Sequence, residues 1–313
     1  MFSAPSRVIK IHFHADSDGI VSAFFVSGEL ERLNTKYSLH PSLGSSIKLE
    51  GTNNVALDIS NVIGTKGNFS IDHHVSERPG FFYANPRNSG FEWPVSFTTY
   101  SLFGDEVQSW ISAVGVVADW GAEKVPKRFW EVVSKHYPEL VPTVNQKKLV
   151  HHKLGDMARM IDSAVTIDRS KGALLALDAL KHAKTWKGFL AGRGRAKRLK
   201  KSQTTVAKEV DRIFGRELVT KKFMLLKYSS KHRIKSMVAG RAKDLYPRKM
   251  IIIAQDDGER VRLSFRNGTD LNTLVKKLTR GIGDGGGHPQ ASGGWINCGD
   301  WDTFKNRLFK LNQ

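Results

Sequence analysis

The residues best suited to chemistry are histidines and aspartates, and they gather in four short stretches of the first half of the chain. Asp72-His73-His74 sets two imidazoles beside a carboxylate directly after the apolar Ile71. Upstream stands His12-Phe13-His14-Ala15-Asp16-Ser17-Asp18-Gly19; Val55-Ala56-Leu57-Asp58 lies between, and Val116-Val117-Ala118-Asp119-Trp120-Gly121 follows. Each follows an apolar, β-branched run, which places its carboxylate where a buried strand emerges. Ligands of open α/β sheets bind there.

Asp16, Asp18, Asp58 and Asp119, converging at one sheet edge, would repel one another and raise each other's pKa. Two divalent cations remove the repulsion, with His12 and His73 as neutral ligands that complete the shells. Mixed oxygen and imidazole ligation suits Mn²⁺ better than Mg²⁺, and Zn²⁺ is the third alternative. Two such cations acidify a shared water and hold phosphoryl oxygens, so the reaction class inferred is phosphoester hydrolysis. His74, beside Asp72, stands where it can bond a non-bridging phosphoryl oxygen or guide the attacking water. An aspartate after a strand is ordinarily a helix cap. Four such sites in one domain exceed what capping explains.

The elements that must position these groups read as α/β. Val8–His14 is a strand that turns at Asp18-Gly19 into a helix from Ile20 to Leu33; further strands are expected at Lys36–Leu39, Val55–Ile59 and Asn68–Ile71. Strands that alternate with helices imply parallel pairing. Ser96–Phe103 and Val107–Val117 read as helical, and Leu154–Trp186 as a long helical stretch with Leu174, Leu175, Leu177 and Leu180 at core spacing. The expected organisation is a larger N-terminal domain, 1–186, with a mostly parallel sheet flanked by helices; a basic helical linker, 187–220; and a smaller α/β domain, 221–313. Strands are expected there at Phe223–Tyr228, Met250–Ala254 and Val261–Phe265, with helices at Ile234–Leu245, Leu271–Leu278 and Trp301–Leu311.

The chain of 313 residues carries 49 Lys+Arg against 30 Asp+Glu, a net charge of +19. Such a balance points to a polyanionic partner such as nucleic acid. Residues 187–249 hold 20 Lys+Arg against 4 Asp+Glu, densest at Arg193-Gly194-Arg195-Ala196-Lys197-Arg198-Leu199-Lys200-Lys201. Arg195, Lys197 and Arg198 are read as contacts to a nucleic-acid backbone, against the plainer reading of a solvated linker. In the C-terminal domain, the glycine run that includes Gly286 and Gly287 lets a backbone approach a phosphate or base, and His288 adds a donor. Ser264 and Arg266 supply a hydroxyl and a guanidinium for the far end of a substrate. Cys298 is the single cysteine, so an internal disulfide and a zinc-thiolate cluster are excluded, and a reducing cytoplasm is expected. No signal peptide and no apolar run near ~18 residues is legible, so no membrane span is expected.

With these motifs assembled, the chain resembles the DHH phosphoesterase family, in particular members with the DHH-associated C-terminal domain: RecJ-type single-strand exonucleases and nanoRNase or phosphoadenosine-phosphate phosphatases. The resemblance rests on His12-x-x-x-Asp16-x-Asp18-Gly19, Asp58, Asp72-His73-His74, Asp119 and Gly285-Gly286-Gly287-His288, in that order. It implies one Mn²⁺ held by His12, Asp16 and Asp58 and another by Asp18, Asp58, His73 and Asp119, with Asp58 bridging. It further implies that His74 faces the scissile phosphate, and that Arg266 and His288 bind substrate. His14 offers a second histidine two residues before Asp16. Met160-Ile161-Asp162-Ser163-Ala164 stands where RecJ-type members tend to carry an Asn-Ala-Ala-Gly-Arg-like stretch. The activity implied is release of nucleotides from single-stranded DNA, RNA or short oligonucleotides. The alternatives are hydrolysis of phosphoadenosine phosphate or cyclic dinucleotides, and a scaffold role with a replication or repair partner.

Overall fold

A computed structural model describes residues 8–75, 80–289 and 291–312, the side chains of His288 and Asn312 excepted. Two compact units divide at Thr204 and Thr205. The division falls inside the stretch read as a linker. Residues up to Thr204 belong to the first unit, where Phe189, Ala196 and Leu199 are buried in its core. From Ala196 onward the basic run therefore lies on a helix, Ala196–Ile213, anchored by its buried Ala196 and Leu199.

The first unit is built on a five-stranded parallel sheet in the order Tyr37–Ser42, Ile9–His14, Asn54–Leu57, Phe69–Ile71, Phe82–Ala84. Alternation along the first strand buries Ile11 and Phe13 completely and turns His12 and His14 to the other face. Short parallel strands need helical crossovers to bury their faces. Here the helix Ser17–Arg32 follows the first strand at once and packs against the helices Val95–Phe103 and Ser109–Ala118. Gly19 makes the sharp entry sterically feasible: a Cβ there would lie 2.2 Å from the His14 carbonyl oxygen. Gly115 does the same between two helices, since a Cβ would meet Ser96 Oγ at 2.5 Å.

Several expectations are corrected. Asp119 does not follow a strand, as its apolar run alone suggests; it closes the helix Ser109–Ala118, in keeping with the helical reading of Val107–Val117, and Val116 and Val117 are buried helical positions. A short β-branched run fits a buried helix as well as a strand. The stretch Leu154–Trp186 is two helices, Lys153–Asp168 and Ser170–Lys181, separated at Arg169, where φ is 54°. Leu177 and Leu180 are buried there, whereas Leu174 points outward and is 37% exposed. The amphipathic helix Lys127–His136 and the edge strand Phe82–Ala84 are additions to the expected elements.

The second unit is a six-stranded mixed sheet in the order Gly283–His288, Ala291–Asn297, Arg260–Arg266, Met250–Asp256, Phe223–Ser229, Leu218–Val219. The helices Leu271–Thr279 and Trp301–Phe309 carry Leu271, Val275, Leu278, Phe304 and Leu308 into the core beside Phe223, Ile252 and Phe265. The glycine run is an antiparallel hairpin and not an open loop. Gly283 and Gly294 are needed because a Cβ at either would strike backbone of the partner strand, at 1.9 and 2.5 Å. No helix among the described residues is long and apolar enough to cross a membrane.

Candidate metal centre

The carboxyl ends of three neighbouring strands deliver the site. The first strand ends at His14 and leads into Asp16; Asp58 follows Leu57; Asp72 and His73 follow Ile71. Asp119 joins them from its helix end.

His14, not His12, belongs to this group. His14 Nδ1 lies 2.7 Å from Asp16 Oδ2 and 3.7 Å from Asp58 Oδ2. His12 Nε2 is bonded to Asn54 Oδ1 at 3.0 Å, and its ring stacks on His40. The two histidines share a strand face, but only the last residue reaches the sheet edge. The structure thus brings His14, and not the expected His12, into the cluster.

His73 stands between carboxylates, its Nε2 3.4 Å from Asp58 Oδ1 and its Nδ1 3.5 Å from Asp119 Oδ2. Asp18 is fixed by its neighbours: its two oxygens accept from Val95 N and Ser96 N, each at 2.9 Å, at the start of the helix Val95–Phe103. The side chains form three close groups, His14–Asp16–Asp58, Asp18–His73–Asp119 and Asp58–His73–His74, with ligand atoms within 4.8 Å of one another in each. Asp58 and His73 are shared between groups. Asp58 is 3% exposed and holds φ at 58°, a left-handed backbone that stores strain in a non-glycine residue.

The donor set fits divalent cations. Asp58 Oδ1 and His73 Nε2 are buried without a hydrogen-bond partner among the described residues, a costly arrangement that a cation between them removes. Burial, with the charges of Asp16 and Asp18, pushes Asp58 well above the usual carboxylate range. Burial and Asp18 push Asp119 up to about 8. Burial also raises Asp18. Burial works against a charged His14, but its bonds to Asp16 and Asp58 prevail and bring it to about 11. Metal-free, the cluster thus holds protons that a cation would displace.

His74 is set differently. Its Nδ1 lies 2.8 Å from Asp72 Oδ1 and its backbone N–H donates to Asp72 Oδ2. The Asp72 bond raises His74 above the ordinary imidazole value. With Nδ1 engaged and the side chain 44% exposed, Nε2 is the nitrogen left for a ligand. Three residues outside the expected set hold this turn. Tyr83 donates to Asp72 Oδ2, Asn85 Nδ2 donates to the His74 carbonyl at 2.9 Å, and Arg87 Nε donates to the His73 carbonyl. The composition of the loop after Phe82 gives no hint of this. Asp162 is a further addition: its Oδ1 accepts from Ser17 N and Ser17 Oγ, and burial with the Asp16 charge pushes it up to about 7.

In the second unit, register brings the expected substrate residues into line. Ser264 pairs with Gly293, which pairs with Gly286, and Arg266 pairs with Ala291, which pairs with His288. Ser264 is buried, and Arg266 is half-buried with Nη1 donating to the Phe265 carbonyl. Gly287 has φ of 140° and donates its N–H to Asn272 Oδ1. The side chain of His288 lies outside the described residues. Of the basic run, Arg195 is paired with Asp178, while Lys197 and Arg198 are exposed.

Residues 221–311 match the DHHA1 domain. RecJ from Thermus thermophilus in complex with Mn²⁺ superposes with a TM-score of 0.65 at 14% identity, covering 97% of this chain and 51% of that one. An exonuclease RecJ bound to manganese gives 0.61 at 14% identity, over 97% and 89% of the two chains. The fold is the RecJ-like DHH fold. A pGpG-specific phosphodiesterase, PggH from Vibrio cholerae, shares the DHH fold at a TM-score of 0.51 and 14% identity over 97% of both chains. This DHH-fold chain spans about half the length of the Thermus RecJ. No curated protein matches it in sequence.

Proposed function

We propose that this protein is a two-metal, Mn²⁺-dependent phosphodiesterase that releases nucleotides from single-stranded DNA, RNA or short oligonucleotides. The observation that carries this reading is the pair of orphaned buried atoms, Asp58 Oδ1 and His73 Nε2, set between two ligand triads. His14, Asp16 and Asp58 would hold one ion, and Asp18, His73, Asp119 and the shared Asp58 the other. Ions bound there supply Lewis acidity to a phosphoryl group and acidify water. Asp72 holds His74 in one orientation and stabilises its protonated form, so Nε2–H can donate to a phosphoryl oxygen. Manganese is also the ion in two RecJ structures of this fold. Arg266 and Ser264 stand in register with the glycine strand and His288, a placement that would suit contact with a phosphate or base. Lys197 and Arg198 offer positive charge to a strand backbone.

The second reading is a phosphodiesterase of dinucleotides or bisphosphorylated nucleosides. The pGpG-specific enzyme, of the same fold and matched over nearly its whole length, favours it. Turnover of end-labelled DNA and RNA 20-mers, with each end labelled in turn, is compared with that of a dinucleotide and a bisphosphorylated nucleoside in Mn²⁺, Mg²⁺ and chelator. Degradation of the 20-mers from one end in Mn²⁺ supports the exonuclease. Turnover confined to the small substrates transfers the assignment to the second reading, and no turnover of any of them overturns both.

A further inference from the structure

Asp162 lies on the helix Lys153–Asp168, 145 residues from its partner, yet its carboxylate meets the turn that carries two of the metal-site aspartates. Oδ1 accepts from the Ser17 backbone N–H at 3.1 Å and from Ser17 Oγ at 2.8 Å. Ser17 is 1% exposed and stands between Asp16 and Asp18. Its hydroxyl has one proton and two acceptors in reach, Asp162 Oδ1 and the Ala158 carbonyl at 3.2 Å, and the carboxylate is the nearer. Asp16 Oδ1 already accepts from Gly19 N at 3.0 Å, so the backbone from 16 to 19 is held on both sides.

We infer that Asp162 is a positioning residue: by gripping Ser17 through two hydrogen bonds it fixes the backbone from which Asp16 and Asp18 reach toward two different cations. The inference rests on the metal-centre reading above. Ser17 is the first residue of its helix, where a backbone N–H has no partner within the helix. An ordinary cap would satisfy that N–H with one bond and serve stability alone. Here the same oxygen also takes the side-chain hydroxyl, which fixes Ser17 at two points and leaves Asp16 and Asp18 little freedom to rotate. An acceptor of the same shape without charge should serve as well, which separates positioning from an electrostatic role.

Mn²⁺ binding is measured by titration calorimetry on the wild type, Asp162→Ala, Asp162→Asn and Ser17→Ala, with melting curves to confirm that each is folded. The wild type should take up two ions. Asp162→Ala should bind Mn²⁺ about 10–100-fold more weakly, the range seen when a group that orients a ligand is lost. Asp162→Asn should stay within about 3-fold of wild type, Ser17→Ala should fall between, and Ser17→Ala should add little in the Asp162→Ala background because both remove the same bond. Two wild-type ions with an unchanged Asp162→Ala isotherm would overturn the positioning role and leave the metal centre standing. Asp162→Asn as weak as Asp162→Ala would also overturn it. If Asp162→Ala does not fold, Ser17→Ala decides, and wild-type affinity in that variant overturns the inference. A wild type that binds no Mn²⁺ overturns both readings.

Discussion

Replacing Asp119 by Asn should stabilise the metal-free protein while weakening its hold on metal. In the metal-free fold burial and the neighbouring Asp18 bring Asp119 to about 8, against an ordinary 3.8. At pH 7 the folded chain must keep a proton that the unfolded chain releases, a gap of about three units and hence about 4 kcal/mol. The side chain is 31% exposed, and solvent screening reduces the cost. The net penalty is about 2 kcal/mol. Because the folded value is raised, the stability tied to this group is full below the unfolded value and is lost as pH rises through about 8. Asparagine has no charge to accommodate, so in chelator at pH 7 the variant should melt roughly 4–8 °C higher, and by less at pH 5. In saturating Mn²⁺ the order should reverse, since the wild type gains the binding free energy that the variant lacks. Paired melts at the two pH values, with chelator and with Mn²⁺, make the test. A variant that is less stable in chelator, or equally stabilised by Mn²⁺, refutes the reasoning.

His14→Ala should weaken Mn²⁺ binding at least tenfold and abolish most turnover, whereas His12→Ala should leave the isotherm within about 3-fold, because His12 is engaged with Asn54 and His40. Metal uptake should release protons between pH 6 and 8, from His14 and Asp119, and calorimetry in two buffers of different ionisation enthalpy reads the number; no release would contradict the raised values of these groups. Charge reversal of Lys197 and Arg198 should weaken binding of a 20-mer far more than of a dinucleotide and lower the salt slope by about 2, and equal losses for both ligands would remove the basic helix from the binding path. Gly19→Ala should cost several kcal/mol in stability, because its methyl would sit 2.2 Å from the His14 carbonyl oxygen, and a wild-type melting curve would show that the close turn is not needed.

Most of the cluster is legible in the sequence because a metal site would call for these residue types and strands fix where those residues emerge. Asp16, Asp18, Asp58, His73 and Asp119 all reach one cluster. The choice between His12 and His14 is not legible, since alternation sends both to one face and only the paired Asn54 shows which one is already engaged. Val116-Val117 suits a strand end as well as a helix, and packing against neighbouring helices decides for the helix read over Val107–Val117, which Asp119 closes. The glycine run carries too few side chains to declare a strand, and its register becomes visible only beside Ala291–Asn297. Asp162, Tyr83, Asn85 and Arg87 act through contacts that no local pattern encodes, and Asp162 is the most distant of them.

Equilibrium dialysis against Mn²⁺, with metal and protein quantified in the same sample, tests the dinuclear centre most directly. The wild type should retain two ions per chain, and Asp58→Asn, a substitution that tolerates the left-handed backbone at this position, should retain at most one and hold it weakly. A wild type that retains none at saturating Mn²⁺, or an Asp58→Asn chain that retains two with unchanged affinity, would contradict the account.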